Sequence, residues 1–400
     1  MSSAHPVPAV LTALNPNGLA VARTLGRHGV KVFALHPHPD DPETRTRYAE
    51  VWPCPNDALL DQLLTRGQQF AERPWLLPIT DESVTVVAQN LDALRRHYVI
   101  SMPDPQLVLR LLDKRGFDEM ARELGLPVPG TWFVRDREQL EAAIATLVFP
   151  CLMKPQEKTA AYFAAGGMKA YVFDDAEQLR STWTALSGAE PRVVIQQYVP
   201  GGDGEVYFCL QANDSAGEAV MSFCGRKIRQ WRPHCGGTSA CEPVVQPKLA
   251  ELTAEFFRRT GVSGPGSMEF KRDPRDGAFY MIEPTVCRPD WQNAVADANG
   301  APIVYAAYCA ALGLPIPAVR RRLLQRRWVL FGSDRLSADY YRRRGELSRI
   351  AWLWSIRPPV RGAYFALDDP RPYLAMTRGL FGRALAKLAR LLGLRKKTTA

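Results

Sequence analysis

The sequence has 400 residues, 46% of them hydrophobic and 23% charged, with a net charge of +10. That length suggests two or three domains with sizeable cores, and the composition is that of a soluble globular protein. No uninterrupted apolar run is long enough to cross a bilayer, and the opening MSSAHPVPAV lacks the basic start and long apolar core of a signal peptide, which sets aside spanning and secreted readings.

The eight cysteines are scattered without a Cys-x-x-Cys pair, a spacing that fits reduced thiols better than a disulfide framework. His234, Cys235 and Cys241 fall close together, but no fourth ligand accompanies them, so a structural zinc site is not expected.

In chain order, residues 9–14 read as a strand, 15–18 as a loop, 19–29 as a helix and 30–35 as a second strand. This is a βαβ opening to a parallel sheet. The loop is not GxGxxG, so it carries no dinucleotide fingerprint. Residues 75–80 repeat the strand, and the helix after them has Thr80 or Asp81 as its cap. The first domain therefore closes near residue 105.

Residues 107–126 read as one helix with Asp113 and Lys114 near its middle, stopped by Pro127 and Pro129. A strand, a helix and the strand FPCLMKP follow, the last carrying Lys154 at its end. Next comes the glycine pair of AAGGMK, which ends at Lys169. Such a loop suits phosphates because its N–H groups approach closely, although a plain hairpin has the same composition. Residues 193–210 read strand, linker, strand, with Gln196, Gln197, Tyr198 and Val199 leading to Glu205.

Arg226 and Lys227 precede a Gly236-Gly237 loop and the helix 247–260. Then two strands are joined by a turn of Asp273, Pro274, Arg275, Asp276 and Gly277, whose chemistry is that of a hairpin connection. If they pair, Glu269 and Glu283 lie side by side. Two carboxylates so placed repel unless one protonates or a cation joins them. A divalent metal under substrate phosphates resolves the conflict. A surface hairpin with two solvated glutamates is the bland alternative.

Four motifs in this order, LLDKRGFDEMARELGLPVPGTW, FPCLMKP, VVIQQYVPGGDGEVY and GSMEFKRDPRDGAFYMIEPTVCRPDW, resemble the ATP-grasp superfamily. The resemblance covers most of residues 8–315. It is to the carboxylate–amine ligase branch, related to D-aspartate ligases and the large chain of carbamoyl-phosphate synthase. It implies an α/β and α+β protein: a Rossmann-like domain (1–105), a central lobe (106–195), a lobe with the metal site (196–317) and a basic helical extension (318–400).

It further implies ATP between the lobes, with Lys114 and Lys154 on its phosphates and the loop ending at Lys169 closing over them. Gln196, Gln197, Tyr198 and Val199 would hold the adenine, and Glu205 the ribose. Glu269, Glu283 and Thr285 would hold one or two magnesium ions, with manganese as a substitute. The family has asparagine at the position of Thr285, and a hydroxyl is a weaker ligand than an amide oxygen. Arg226, Lys227 and Arg288 would hold substrate, and Lys154, Arg226 and Arg288 would neutralise charge during transfer.

The implied reaction turns a carboxylate into an acyl phosphate and joins it to an amine, on a small molecule or on a polymer precursor. A thiol or bicarbonate acceptor, or a non-catalytic scaffold, are the alternatives. Residues 373–397 read as a basic amphipathic helix, with Leu374, Phe381, Leu385, Leu388 and Leu392 opposite Arg383, Lys387 and Arg390. Such a helix fits an anionic membrane surface, or packing within the chain or a homodimer. No nucleic-acid motif accompanies the charge, so nucleic acid is not an expected partner. The scattered cysteines and the opening residues make the expected setting cytoplasmic, with the inner membrane face as the place of any peripheral contact.

Overall fold

The computed structural model describes residues 6–157, 159–168, 170–234, 236–320 and 322–379. Three sheets carry it, and they follow one another along the chain.

The first sheet holds β1 (Ala9–Leu11), β2 (Val32–His36), β3 (Glu50–Pro53) and β4 (Trp75–Leu77) in the order β3-β2-β1-β4, all parallel. Val10, Phe33 and Leu35 face one core while Ala9, Leu11, Val32 and Ala34 face another. Period-two alternation with both faces apolar is what a parallel sheet covered on two sides requires. The expected loop 15–18 is in fact the start of the helix Pro16–Arg27. Asn15 caps it by accepting from the N–H groups of Asn17 and Gly18, and Pro16 occupies its first turn.

The expected helix 107–126 is two helices, Pro105–Leu112 and Lys114–Glu123. The break is at Asp113, whose extended backbone lets its carboxylate accept from the N–H groups of Arg115 (3.0 Å) and Gly116 (2.9 Å). A Cβ at position 116 would lie 2.2 Å from the Arg110 carbonyl oxygen, so the close turn needs glycine there. The result places Lys114 in the first turn of a new helix.

The second sheet, antiparallel, holds β5 (Thr131–Val134), β6 (Cys151–Pro155), β7 (Tyr171–Phe173) and β8 (Val193–Gln197) in the order β5-β8-β6-β7. Val134, Met153, Tyr162, Trp183 and Ile195 belong to a core of its own.

The third sheet holds β9 (Val206–Asn213), β10 (Ala219–Trp231), β11 (Gly237–Pro243), β12 (Gly264–Arg272), β13 (Phe279–Thr285), β14 (Arg327–Val329) and β15 (Val360–Gly362) in the order β13-β12-β9-β10-β11-β14-β15. The hairpin turn forms as its residues predict. Asp273 N–H donates to Ala278 O, the Asp273 carboxylate takes the N–H of Arg275, and Gly277 adopts φ 78°.

Two strands of this sheet lie beyond residue 317, so the C-terminal quarter is built into the fold more deeply than a helical extension. The helix Phe331–Arg343 carries Asp334, fully buried, which accepts from Arg229 of β10 through Nε (2.7 Å) and Nη2 (3.0 Å). Further on, Asp369 is buried against Arg23 (2.9 Å) and Thr46 (2.7 Å) of the first domain. Buried charges paired by hydrogen bonds tie this segment to β10 and to the first domain.

Candidate active site

A cleft of about 350 Å³ opens between the second and third sheets and the first domain. Lys114, Lys154, Gln196, Lys227, Glu269, Glu283, Thr285 and Arg288 all line it. These residues come from five separate stretches of chain, which folding brings to one surface.

Lys154 stands on β6 opposite Val194 of β8, and Gln196 donates from Nε2 to Thr131 Oγ1 (3.2 Å) across β8 and β5. On the facing wall, Glu269 of β12 is the direct partner of Glu283 of β13. A register irregularity follows Glu269. Ser267 faces Thr285 two residues away in the same ladder, and both are buried.

Glu269 is not left with Glu283 alone. Lys227 of β10, buried, sets its ammonium 2.6 Å from Glu269 Oε1 and also donates to Gln230 Oε1 (3.1 Å). Burial pushes the Glu269 carboxyl above its ordinary range; the Lys227 ammonium opposes the shift, while the negative charges of Asp290 and Glu283 add to it. Gln230 is tied through its side chain (3.1 Å) and its N–H (2.8 Å) to the buried carboxylate of Asp203, which also takes the N–H of His234 (2.9 Å). The Gly236–Thr238 wall is thus anchored to the same network as the acids. A Cβ at Gly236 would lie 1.9 Å from the Arg232 nitrogen, so only glycine fits that wall.

Asp290 is the residue the sequence reading missed. Its carboxylate accepts from Ser267 Oγ (2.7 Å) and from the N–H of Trp291 (2.6 Å), and it lines the cleft with Glu269 and Glu283. The Gln292 amide joins it: in the orientation that satisfies both its ends, its nitrogen donates to Asp290 Oδ2 (2.8 Å) and its oxygen accepts from Thr238 Oγ1 (2.7 Å). The available signal was an acid seven residues after Glu283 inside the same motif. Three carboxyl groups, Glu269, Glu283 and Asp290, thus line the cleft with the Lys227 ammonium among them. Among the described residues, no three His, Cys, Asp or Glu side chains converge as they stand into a metal-holding group. Lys227 occupies the flank of Glu269 instead.

Arg288 lines the same cleft, just beyond β13. Its Nε donates to Asp81 Oδ1 (2.6 Å) and its Nη1 to the Pro289 carbonyl (3.2 Å). Burial disfavours its cation, and the hydrogen bond to Asp81 with the charges of Asp81, Asp290 and Glu283 more than offsets this, raising its pKa. Asp81 belongs to the first domain, so the pair spans 207 residues of sequence.

Other expected residues stand elsewhere. Arg226 precedes Lys227 on β10 and projects from the opposite face of the sheet. There it pairs with Glu242, which Arg327 also engages at 3.1 Å, so Arg226 is not on the cleft wall. Gln197 is bound to Gly130 through its N–H (2.7 Å) and its side chain (3.2 Å), and Val199 is buried just after β8. With Tyr198 they form the passage between the second and third sheets, outside the cleft lining. Glu205 closes the single turn Asp203–Glu205, 3.7 Å from Arg272 Nη1, with its Oε2 buried and accepting no hydrogen bond. The loop before β7 folds back on Tyr162, whose hydroxyl donates to Met168 O (3.0 Å), and Lys169 lies outside the described residues.

No family model matches the chain. It is 24% identical over 229 residues to the C-terminal section of the carbamoyl phosphate synthase large chain of Methanopyrus kandleri, covering 54% of this chain and 40% of that protein. It is 22% identical over 218 residues to the D-aspartate ligase of Enterococcus faecium, covering 52% of each. The chain spans about half the length of these curated relatives or less. Among solved structures it superposes on N5-carboxyaminoimidazole ribonucleotide synthetase bound to ADP, with a TM-score of 0.62, 16% identity and 80% of each chain covered. It also superposes on the biotin carboxylase domain of Hydrogenobacter thermophilus 2-oxoglutarate carboxylase, solved with MgADP, at a TM-score of 0.61 and 15% identity, covering 80% of this chain and 72% of that one. The chain has the ATP-grasp fold, and in sequence it is similar to the carboxylate–amine ligases of that superfamily.

Proposed function

We propose that the chain is an ATP-dependent ligase that activates a carboxylate as an acyl phosphate and joins it to an amine, releasing ADP and phosphate. One observation carries the reading above the rest: Glu269 and Glu283 are partners in register, in the same cleft as Lys114, Lys154 and Arg288. Acids and cations line one space, an arrangement that a metal-bound polyphosphate suits.

In this reading Lys114 and Lys154 hold phosphate oxygens as ammonium donors. Tyr198 and Val199 offer backbone groups to the adenine. The buried Oε2 of Glu205, which accepts no hydrogen bond within the chain, accepts from a ribose hydroxyl. Glu269, Glu283 and the Thr285 hydroxyl, with Asp290 behind them, are the groups that would hold magnesium, whose chemistry is to neutralise charge on the transferred phosphoryl group. Lys227, held between Glu269 and Gln230 at the edge of the cleft, would offer its ammonium to substrate oxygens. Arg288 orients the carboxylate at the end of the cleft nearest the first domain. Arg226 has no role here, since it stands on the far face of β10.

The substrates are a small-molecule or polymer-linked carboxylate and an amine, and the setting is cytoplasmic. No helix among the described residues is long and apolar enough to cross a membrane. Peripheral contact with an anionic membrane through residues 373–397 belongs to the same proposal, as does a homodimer; residues 380–397 lie outside the described residues.

ADP release over a panel of acids and amines tests the reaction. The expected result is turnover that requires one acid and one amine together, falling at least about a hundredfold in Glu283→Ala, the scale of losing one group that stabilises transition-state charge. Turnover that survives Glu283→Ala would remove the metal assignment. ATP binding without turnover by any pair would leave a scaffold.

A further inference from the structure

The short helix Arg349–Ser355 is amphipathic in the reverse of the usual sense. Its inner side is held by polar bonds: Trp352 Nε1 donates to the buried Asp334 (2.8 Å), and Ser355 Oγ accepts from Arg229 (2.7 Å). Its outer side is apolar. Ile350, Leu353 and Trp354 are 70%, 59% and 61% exposed, and their spacing of three and four residues puts them on one face. No residue of this helix is buried.

Arginines frame this face. Arg349 and Arg357 stand at its two ends, both exposed, and the Arg357 guanidinium lies 5.0 Å from the centre of the Trp354 ring. The setting extends beyond the helix. Residues 314–400 carry 20 Lys and Arg against 5 Asp and Glu, a net +15, while residues 1–313 carry 31 against 36, a net −5. The positive charge is thus concentrated in one segment, which among the described residues also exposes most of the large apolar side chains.

A partner for this face must supply negative charge and an apolar phase at once. Nucleic acid offers phosphates but nothing for Ile350 and Leu353. A second copy of the chain, docked on the same face, would press like-charged arginines together. An anionic lipid surface satisfies both needs, because aliphatic and indole groups enter the acyl boundary while arginines stay among the headgroup phosphates.

We infer that Ile350, Leu353 and Trp354, with Arg349 and Arg357, form a docking face for an anionic membrane surface. This deepens the peripheral placement proposed above and rests on it, but not on the ligase chemistry. The face is rigidly fixed to β10 through Arg229 and Asp334, and β10 also carries Lys227 in the cleft. Docking there sets the orientation of the cleft relative to the lipid.

Co-sedimentation of the full chain with vesicles of phosphatidylcholine, with and without phosphatidylglycerol, tests the inference. The wild type is expected to bind only the anionic vesicles. The double variant Ile350→Glu, Leu353→Glu should bind at least about tenfold more weakly, as the loss of two inserted aliphatic side chains implies, with an unchanged melting temperature. Binding that the double variant keeps and that deletion of residues 380–400 abolishes would overturn the inference, assigning the contact to the tail alone. A wild type that binds neither vesicle would overturn it together with the peripheral placement. A dimer that the double variant breaks would overturn it in favour of self-association.

Discussion

Alanine in place of Asp334 is expected to lower the stability of the protein by about 3–5 kcal/mol, the cost of removing one partner from a buried ion pair. Asp334 is fully buried, Arg229 nearly so, and the carboxylate is also the acceptor for Trp352. Without it the guanidinium keeps only Ser355 and the sheet face around it, with no solvent to replace the lost charge. The same change frees the helices after β14 from the strand that bears Lys227. Denaturant unfolding of the two proteins reads the effect as a shift in midpoint at unchanged slope. A loss below about 1 kcal/mol, the scale of an exposed pair, would show that the pair is solvated. Replacing both partners, as in Arg229→Met with Asp334→Leu, should recover most of the loss.

Lys154→Ala is expected to weaken ATP binding about tenfold to a hundredfold, since a hydrogen bond to a charged group contributes about 1.5–3 kcal/mol. Lys154 sits on an inner strand of the second sheet, on the wall opposite the acids, and among the described residues no other lysine of that sheet lines the cleft. Adenosine, which lacks phosphates, should bind both proteins alike. Equilibrium titration of each ligand separates the cases: equal weakening for both would mean that the change distorts the sheet, and unchanged ATP affinity would remove Lys154 from the phosphate site.

The pairing of Glu269 with Glu283 was legible in the sequence because strand alternation and turn chemistry together set a register. The polar turn 273–277 leaves one ladder that buries Met268, Phe270 and Met281, and that ladder aligns the two acids. Parity was not legible. Arg226 and Lys227 are neighbours on one strand, so only one can face the cleft, and the choice depends on Glu269, which lies 42 residues away. Helical periodicity ran through Asp113, whereas the side chain there caps a new helix. β14 and β15 have three residues each, too few for any pattern, and their place is fixed by contacts of long sequence separation, such as Arg229 with Asp334 and Arg23 with Asp369. Asp290 was hidden for the same reason: its role arises only when Ser267 and Gln292 turn it toward Glu269.

Calorimetric titration of ATP into the wild type and Glu283→Ala, each with and without magnesium, tests the central claim most directly. The account predicts that magnesium tightens binding to the wild type by at least about tenfold, a difference of about 1.4 kcal/mol, and has no such effect on Glu283→Ala. An equal magnesium effect in both proteins, or none in the wild type, would contradict it.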